Sequence, residues 1–415
     1  MPVEPAVPDF DLSDADLRAV GTCKWTQTPP GVLAAWVAEM DVRPCPEVHQ
    51  AVLDAVTRGC LGYPAFDRQT GVPEATAGFV GRRYGWKVGP DEVLLTADVM
   101  SGVRLALEVL ADPAPVIVPV PSYPPLLHIV PLTGRRLVPV PCVPDTRPGP
   151  DERSMPNGER ETPHDGRSAS HEPGRPALDL QAIDDALAAG ARTVLLSNPH
   201  NPVGRAFEEQ ELTALRDLVT RHGARVISDE VHAPLVLAGA RHLPYASLDG
   251  TADHTTTVVA ASKAWNVPGL RCAQIISQDP EDLRRLRAVP HVANDSLGPL
   301  GAVAAVAAYE HGEPWLDGLL DHLAARRAQF TALVERHLPD VRWTPMEASY
   351  LAWLDVRALC LASPARTALA DGGVMLQDGR HFGTGYEGFA RVALATSAER
   401  LERIVAGMAR AWYPG

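Results

Sequence analysis

Lysine is nearly absent from this chain. Of its 38 lysines and arginines only three are lysines, Lys24, Lys87 and Lys263. Arginine supplies almost every surface cation, so general charge is a poor reason for any of the three. Paired cysteines are also missing: Cys23, Cys45, Cys60, Cys142, Cys272 and Cys360 stand singly, with no CxxC. That spacing fits reduced thiols and gives no support for a disulfide framework or a structural metal; no metal is expected. Net positive charge is lacking, the formal balance being −13, which argues against nucleic acid or an anionic membrane as partner. No stretch approaches the roughly 18 uninterrupted apolar residues of a membrane span. The opening Met1-Pro2-Val3-Glu4-Pro5 has neither a basic nor an apolar signal region, so a cytoplasmic chain is expected.

What is present is a large core. At 415 residues and 46% hydrophobic, the chain has material for two domains. Helices are expected over 47–58, 72–84, 100–110 and 207–222, the last closed by Gly223, with a closing helix over 398–412. Strands are expected over 92–96, 115–119, 136–142, 193–197, 225–228 and 256–261, and later over 350–355 and 391–395. The segment Pro121-Ser122-Tyr123-Pro124-Pro125 reads as a loop, and 299–337 as mostly helical. Residues 143–176 are rich in Pro, Gly, Ser and charge, and read as a disordered surface insertion, either solvated filler or a docking segment. Strand–helix–strand alternation with polar strand ends indicates an α/β fold: a large domain with a mainly parallel sheet between helices, plus a smaller α+β domain. The expected division is an N-terminal segment over 1–50, the large domain over 51–290, and a connecting helix and small domain over 291–415.

Lys263 ends the apolar run Thr257–Ala261. A lysine emerging from a buried strand is a candidate for a depressed pKa and covalent chemistry, which arginine could not perform; a snorkelling surface lysine is the plain alternative. Successive strands deliver Asn201, Asp229 with His232, and Lys263 to one edge. An amide, a carboxylate, an imidazole and an amine suit an aromatic heterocyclic cofactor bound through an aldehyde, such as pyridoxal phosphate. Arg271, beyond the Pro268-Gly269 turn, could fold back as a phosphate ligand. Each residue also has a plainer role: Asn201 as a turn residue, Asp229 as a cap, Tyr123 as loop packing, Arg391 as a surface ion-pair partner, His232 as a packing residue. Gly383-Thr384-Gly385-Tyr386-Glu387-Gly388 is a literal GxGxxG, but a strand rather than a helix follows it, so the dinucleotide reading fails.

Taken together, Lys24-Trp25, Trp36 to Asp41, Gly62-Tyr63, Pro121 to Pro125, Ser197 to Arg205, Ser228 to His232, Ser262 to Arg271 and Phe382 to Arg391 resemble a known family. The chain is similar to fold-type-I pyridoxal-phosphate enzymes of the class I/II aminotransferase superfamily, within it to the cystathionine β-lyase (C–S lyase) branch, also called MalY/PatB-like. The resemblance implies that Lys263 carries the cofactor covalently and acts as the proton-transfer base. It further implies that Asp229 pairs with the pyridine nitrogen, Asn201 contacts the ring oxygen and Tyr123 stacks on the ring. Arg271 with the amides of Val99 and Met100 would hold the phosphate, and Ser262 and His232 complete the cofactor contacts. Arg391, Tyr123 and Ala38 would face an amino-acid substrate, and Tyr63 would reach the phosphate of a neighbouring subunit, implying a homodimer. Two departures stand out: Asp98 where the family has glycine, and Ala260 where a phosphate-binding serine is frequent. A carboxylate at 98 could weaken phosphate binding unless it points away or caps the following helix. The resemblance implies β-elimination from L-cystathionine or a related cysteine S-conjugate. An aminotransferase is the alternative, and an inactive regulatory scaffold a third reading.

Overall fold

The computed structural model describes residues 7–65, 67–145, 174–294 and 297–414. The central sheet has seven strands: β1 (Val93–Thr96), β2 (Val116–Val120), β3 (Leu137–Pro141), β4 (Thr193–Ser197), β5 (Arg225–Asp229), β6 (Thr255–Val259) and β7 (Ala273–Ile276). Their spatial order is β1-β7-β6-β5-β4-β2-β3, all parallel except β7, which runs antiparallel to both neighbours. Strand alternation divides the apolar residues between two faces. Val116, Val118, Leu195, Ile227 and Val258 pack with Val103, Leu107 and Leu126, from helices Val99–Leu110 and Pro124–Leu132. Ile117, Val194, Leu196 and Val226 pack with Ile183, Leu187, Leu212 and Leu215, from helices Leu180–Ala188 and Glu209–Arg221. Burial on both faces is why the central strands read as continuous apolar runs. At about 1.5–3 kcal/mol per fully buried Leu, Ile or Val, these faces dominate the sheet's stability.

A smaller four-stranded antiparallel sheet follows, in the order Arg342–Trp343, Leu351–Asp355, Phe389–Ala393, Gln377–Asp378. The long helix Glu313–His337 and the closing helix Ala398–Trp412 pack together and supply Leu323, Phe330, Leu401, Ile404 and Met408 to the core that includes this sheet. Leu33–Ala34 pairs in parallel with Val374–Met375, tying the N-terminal segment to this region. No helix among the described residues is long and apolar enough to cross a membrane.

Several sequence expectations need correction. Pro124–Leu132 is a helix that starts within the expected loop, because proline at the first helical positions forfeits no hydrogen bond. β6 ends at Val259, so Lys263 lies four residues past the strand, in a turn. The resemblance implies a mainly parallel seven-stranded sheet, and seven strands are present; six are expected along the sequence, and β7 is the one that is not. Within 143–176, Val143–Pro144 and Pro176–Ala177 pair as antiparallel strands, so both ends of the segment are ordered; the expectation of disorder otherwise falls on 146–173, outside the described residues.

Candidate active site

Parallel strands place their carboxyl ends on one edge, and the loops beyond them enclose a cavity of about 240 Å³. Its walls include Ala38, Val99, Met100, Tyr123, Asn201, Asp229, His232, Ser262, Lys263 and Arg271. Ten of the twelve candidate residues thus converge there. Arg391 reaches the same place through Asn201. Tyr63 does not line the cavity and is fully exposed.

The loop after β4 carries Asn201 and is stapled in place. Gly204 has φ 68°, and an added Cβ would meet Met346 Cβ at 2.3 Å. Its carbonyl accepts from the amides of Glu347 and Ala348, each at 2.9 Å. His200 Nε2 donates to the Pro121 carbonyl at 2.8 Å, fastening this loop to the one bearing Tyr123. Asn201 Oδ1 accepts from Arg391 Nη1 at 3.2 Å, and Arg391 Nη2 donates to the Trp36 carbonyl at 3.0 Å. Arg391 is buried, its Nε has no partner, and desolvation lowers its pKa to about 10.

Trp36 belongs to a loop whose backbone serves the whole site. Lys263 Nζ donates to the Ala38 carbonyl at 2.9 Å. Asn266 pairs with Met40 through both its amide atoms, each at 3.0 Å. Asn266 and Arg271 adopt left-handed φ of 55° and 52°, so the segment from Lys263 to Arg271 holds a constrained path of the kind that concentrates at functional sites.

Electrostatically the cavity is unbalanced. Desolvation, then the nearby Arg391 charge, depress Lys263 to a pKa of about 8. Desolvation raises Asp229 to about 6; the amide of Val231 donates to Oδ1 at 3.1 Å, and no ion-pair partner holds it among the described residues. Desolvation, followed by Lys263 and Arg391, pushes His232 down to about 3, so its imidazole is neutral, and its buried Nδ1 has no partner. A buried unpaired carboxylate, an unpaired imidazole nitrogen and an amine of lowered pKa around one cavity are what a bound polar ring would complete. The helix Val99–Leu110 adds an anion site. It packs so closely on β6 that a Cβ on Gly102 would meet Val258 at 2.9 Å. Asp98 caps it by accepting from Ser101 N at 2.7 Å, leaving the Val99 and Met100 amides as donors without intrahelical acceptors. Lys263 for an aldehyde, Asp229 for a ring nitrogen, and Arg271 with that helix end for a phosphate fit pyridoxal phosphate by donor and acceptor chemistry. Among the described residues no group of three His, Cys, Asp or Glu side chains forms a metal site.

Against this geometry, a family model for class I and II aminotransferases matches residues 37–155 and 167–408. The chain belongs to that family. Among relatives in the class I/II family, it is 34% identical to the cystathionine β-lyase of Corynebacterium glutamicum, over 93% of this chain and 95% of that one. It is 32% identical to the cystathionine β-lyase PatB of Bacillus subtilis, over 96% of this chain and all of that one. The crystal structure of a Corynebacterium diphtheriae protein assigned as a PLP-dependent β-cystathionase matches with a TM-score of 0.85 and 35% identity, covering 96% of this chain and 98% of that one.

Sequence reasoning missed some of the site. Ser197, Val231, Pro268 and Cys272 complete the walls. Tyr350, buried with an unpartnered hydroxyl, lies edge-on to His232 with ring centroids 6.4 Å apart. Ser197, Val231 and Pro268 lie within stretches already singled out, but nothing local marks them as walls of the cavity, which loop packing sets. Tyr350 did carry one weak signal, a polar aromatic opening a strand of the same region as Arg391.

Proposed function

We propose that this protein is a pyridoxal-phosphate-dependent carbon–sulfur β-lyase. It converts L-cystathionine or a related cysteine S-conjugate, with one water, to pyruvate, ammonia and a thiol. The observation that carries this reading is the collection of Lys263, Asp229, Asn201, His232 and Arg271 around one cavity, in a chain similar over nearly its full length to cystathionine β-lyases. When bound, the cofactor supplies an electron sink for charge developing at the substrate Cα.

The chain's own residues do the rest. Arg271 and the Val99 and Met100 amides would hold the phosphate, Asp229 the ring nitrogen and Asn201 the ring oxygen, with Tyr123, Ser262 and His232 completing the cofactor contacts. Arg391, fixed by Asn201 and the Trp36 carbonyl, receives the substrate carboxylate as a two-pronged donor. Lys263 would take the substrate Cα proton; a pKa of about 8 leaves a useful neutral fraction near neutrality, and the Ala38 carbonyl steadies Nζ. The C–S bonding pair departs with sulfur as the thiolate. Tyr63, exposed and outside its own chain's cavity, supports a homodimer in which each subunit's Tyr63 serves the other's phosphate. The cytoplasm is the proposed compartment.

One assay separates the lyase from an aminotransferase. Purified enzyme given cystathionine and no keto acid releases pyruvate and homocysteine. Product that forms only when a keto acid acceptor is added sinks the lyase assignment.

A further inference from the structure

Asp98 precedes the helix Val99–Leu110 beside Arg271 in the wall of the cavity, and its carboxylate is fully engaged there. Oδ1 accepts from the Ser101 amide at 2.7 Å, and Oδ2 accepts from Arg271 Nη2 at 2.6 Å. Both side chains line the cavity and keep partial exposure, 35% for Asp98 and 54% for Arg271. One carboxylate therefore binds the guanidinium of the anion site and the Ser101 amide next to its Val99 and Met100 donors. No acidic side chain occupies the first turn of that helix, so Asp98 is the negative charge that balances its positive end.

We propose that Asp98 competes in charge with the cofactor's phosphate, so that this chain holds pyridoxal phosphate less tightly than the same site would with a neutral capping residue at 98. The proposal rests on the pyridoxal-phosphate reading of the cavity. The Asp98–Arg271 pair is formally neutral, leaving the helix end's fractional charge as the net attraction at that wall, whereas a phosphate monoester brings about −1.5 to −2. Arg271 has five donors and need not release Asp98 to accept a phosphate oxygen, so both acids share one cation. Two effects oppose each other. Asp98 orients the guanidinium, but an ion pair this exposed contributes little. The like charge acts on a near-dianion at the close range set by the shared guanidinium, so repulsion outweighs orientation.

The test uses Asp98→Asn, which removes the charge and keeps a capping side chain of equal quality; Asp98→Ser, also a capping residue, serves the same comparison if the first variant folds poorly. Apoprotein is titrated with pyridoxal phosphate and, separately, with pyridoxal, which lacks the phosphate. The expected result is about tenfold tighter pyridoxal phosphate binding in the variant, ~1.4 kcal/mol, with pyridoxal affinity unchanged. Equal or weaker pyridoxal phosphate binding overturns the proposal, as does equal tightening of both ligands, which would place the effect away from the phosphate. Failure of the unmodified protein to bind pyridoxal phosphate at all overturns the cofactor reading too, and is distinguished by appearing before any substitution is made.

Discussion

Two of the three lysines lean on the same loop and come to opposite ends. Lys24 is fully buried, 2.8 Å from Asp41 Oδ1 and 3.0 Å from the Glu39 carbonyl, and Trp25 Nε1 donates to the same Asp41 oxygen at 2.7 Å. Lys263 rests on the neighbouring Ala38 carbonyl, has no carboxylate within salt-bridge distance among the described residues, and has Arg391 acting against its charge. Burial with a matched partner makes a cation part of the framework. Burial without one lowers the cost of losing the proton, which is what a base and an aldehyde-binding amine require.

The largest test of this contrast is Lys263→Ala. Turnover is expected to fall by about 10⁴-fold, and the visible absorbance of the bound cofactor to disappear, while the fold persists. An unchanged spectrum would remove Lys263 from the centre of the site. Next comes Lys24→Met, which strands Asp41 in the interior. Chemical denaturation is expected to show a loss of about 3–5 kcal/mol with no spectral change in the holoenzyme, and Lys24→Met combined with Asp41→Asn should recover part of it. If the single and double variants are equally unstable, the pair is not what holds this region. The smallest effect concerns Asp229 in apoprotein. Its folded pKa of about 6 lies above the ordinary 3.8, so the folded chain keeps a proton that the unfolded chain releases between these values. Stability therefore falls as pH rises through that window, by at most ~3 kcal/mol, and the penalty is complete above about pH 6. Asp229→Asn apoprotein should be the more stable at pH 8, with the difference shrinking toward pH 4. A difference independent of pH would mean the carboxylate is not desolvated as the fold suggests.

Much of this was legible in the order of residues. Asn201, Asp229 and Lys263 follow three consecutive buried strands, and parallel neighbours put such ends side by side. The closing helix Ala398–Trp412 was readable from its apolar spacing. Helix Pro124–Leu132 was obscured by its paired prolines, which look like a loop until the following Leu126 and Val130 are seen to be buried. The Asp98–Arg271 pair spans 173 positions and the Arg391–Asn201 contact 190, distances at which no local pattern operates. The cap at Ser101 was one of the outcomes foreseen for Asp98; the shared arginine was not. The carbonyls of Trp36, Ala38 and Glu39 escaped notice for another reason, since any residue supplies a carbonyl.

The antiparallel strand β7 has a geometric consequence. A parallel successor to β6 would require the chain to cross back to the edge where β6 begins, away from the edge where β6 ends. Because β7 instead starts at that edge, residues 260–272 connect β6 to it directly. Lys263 and Arg271 both sit on this span, and both line the cavity. The span acts as a ruler: lengthening or shortening it would change the size of molecule the site can measure while leaving the sheet intact.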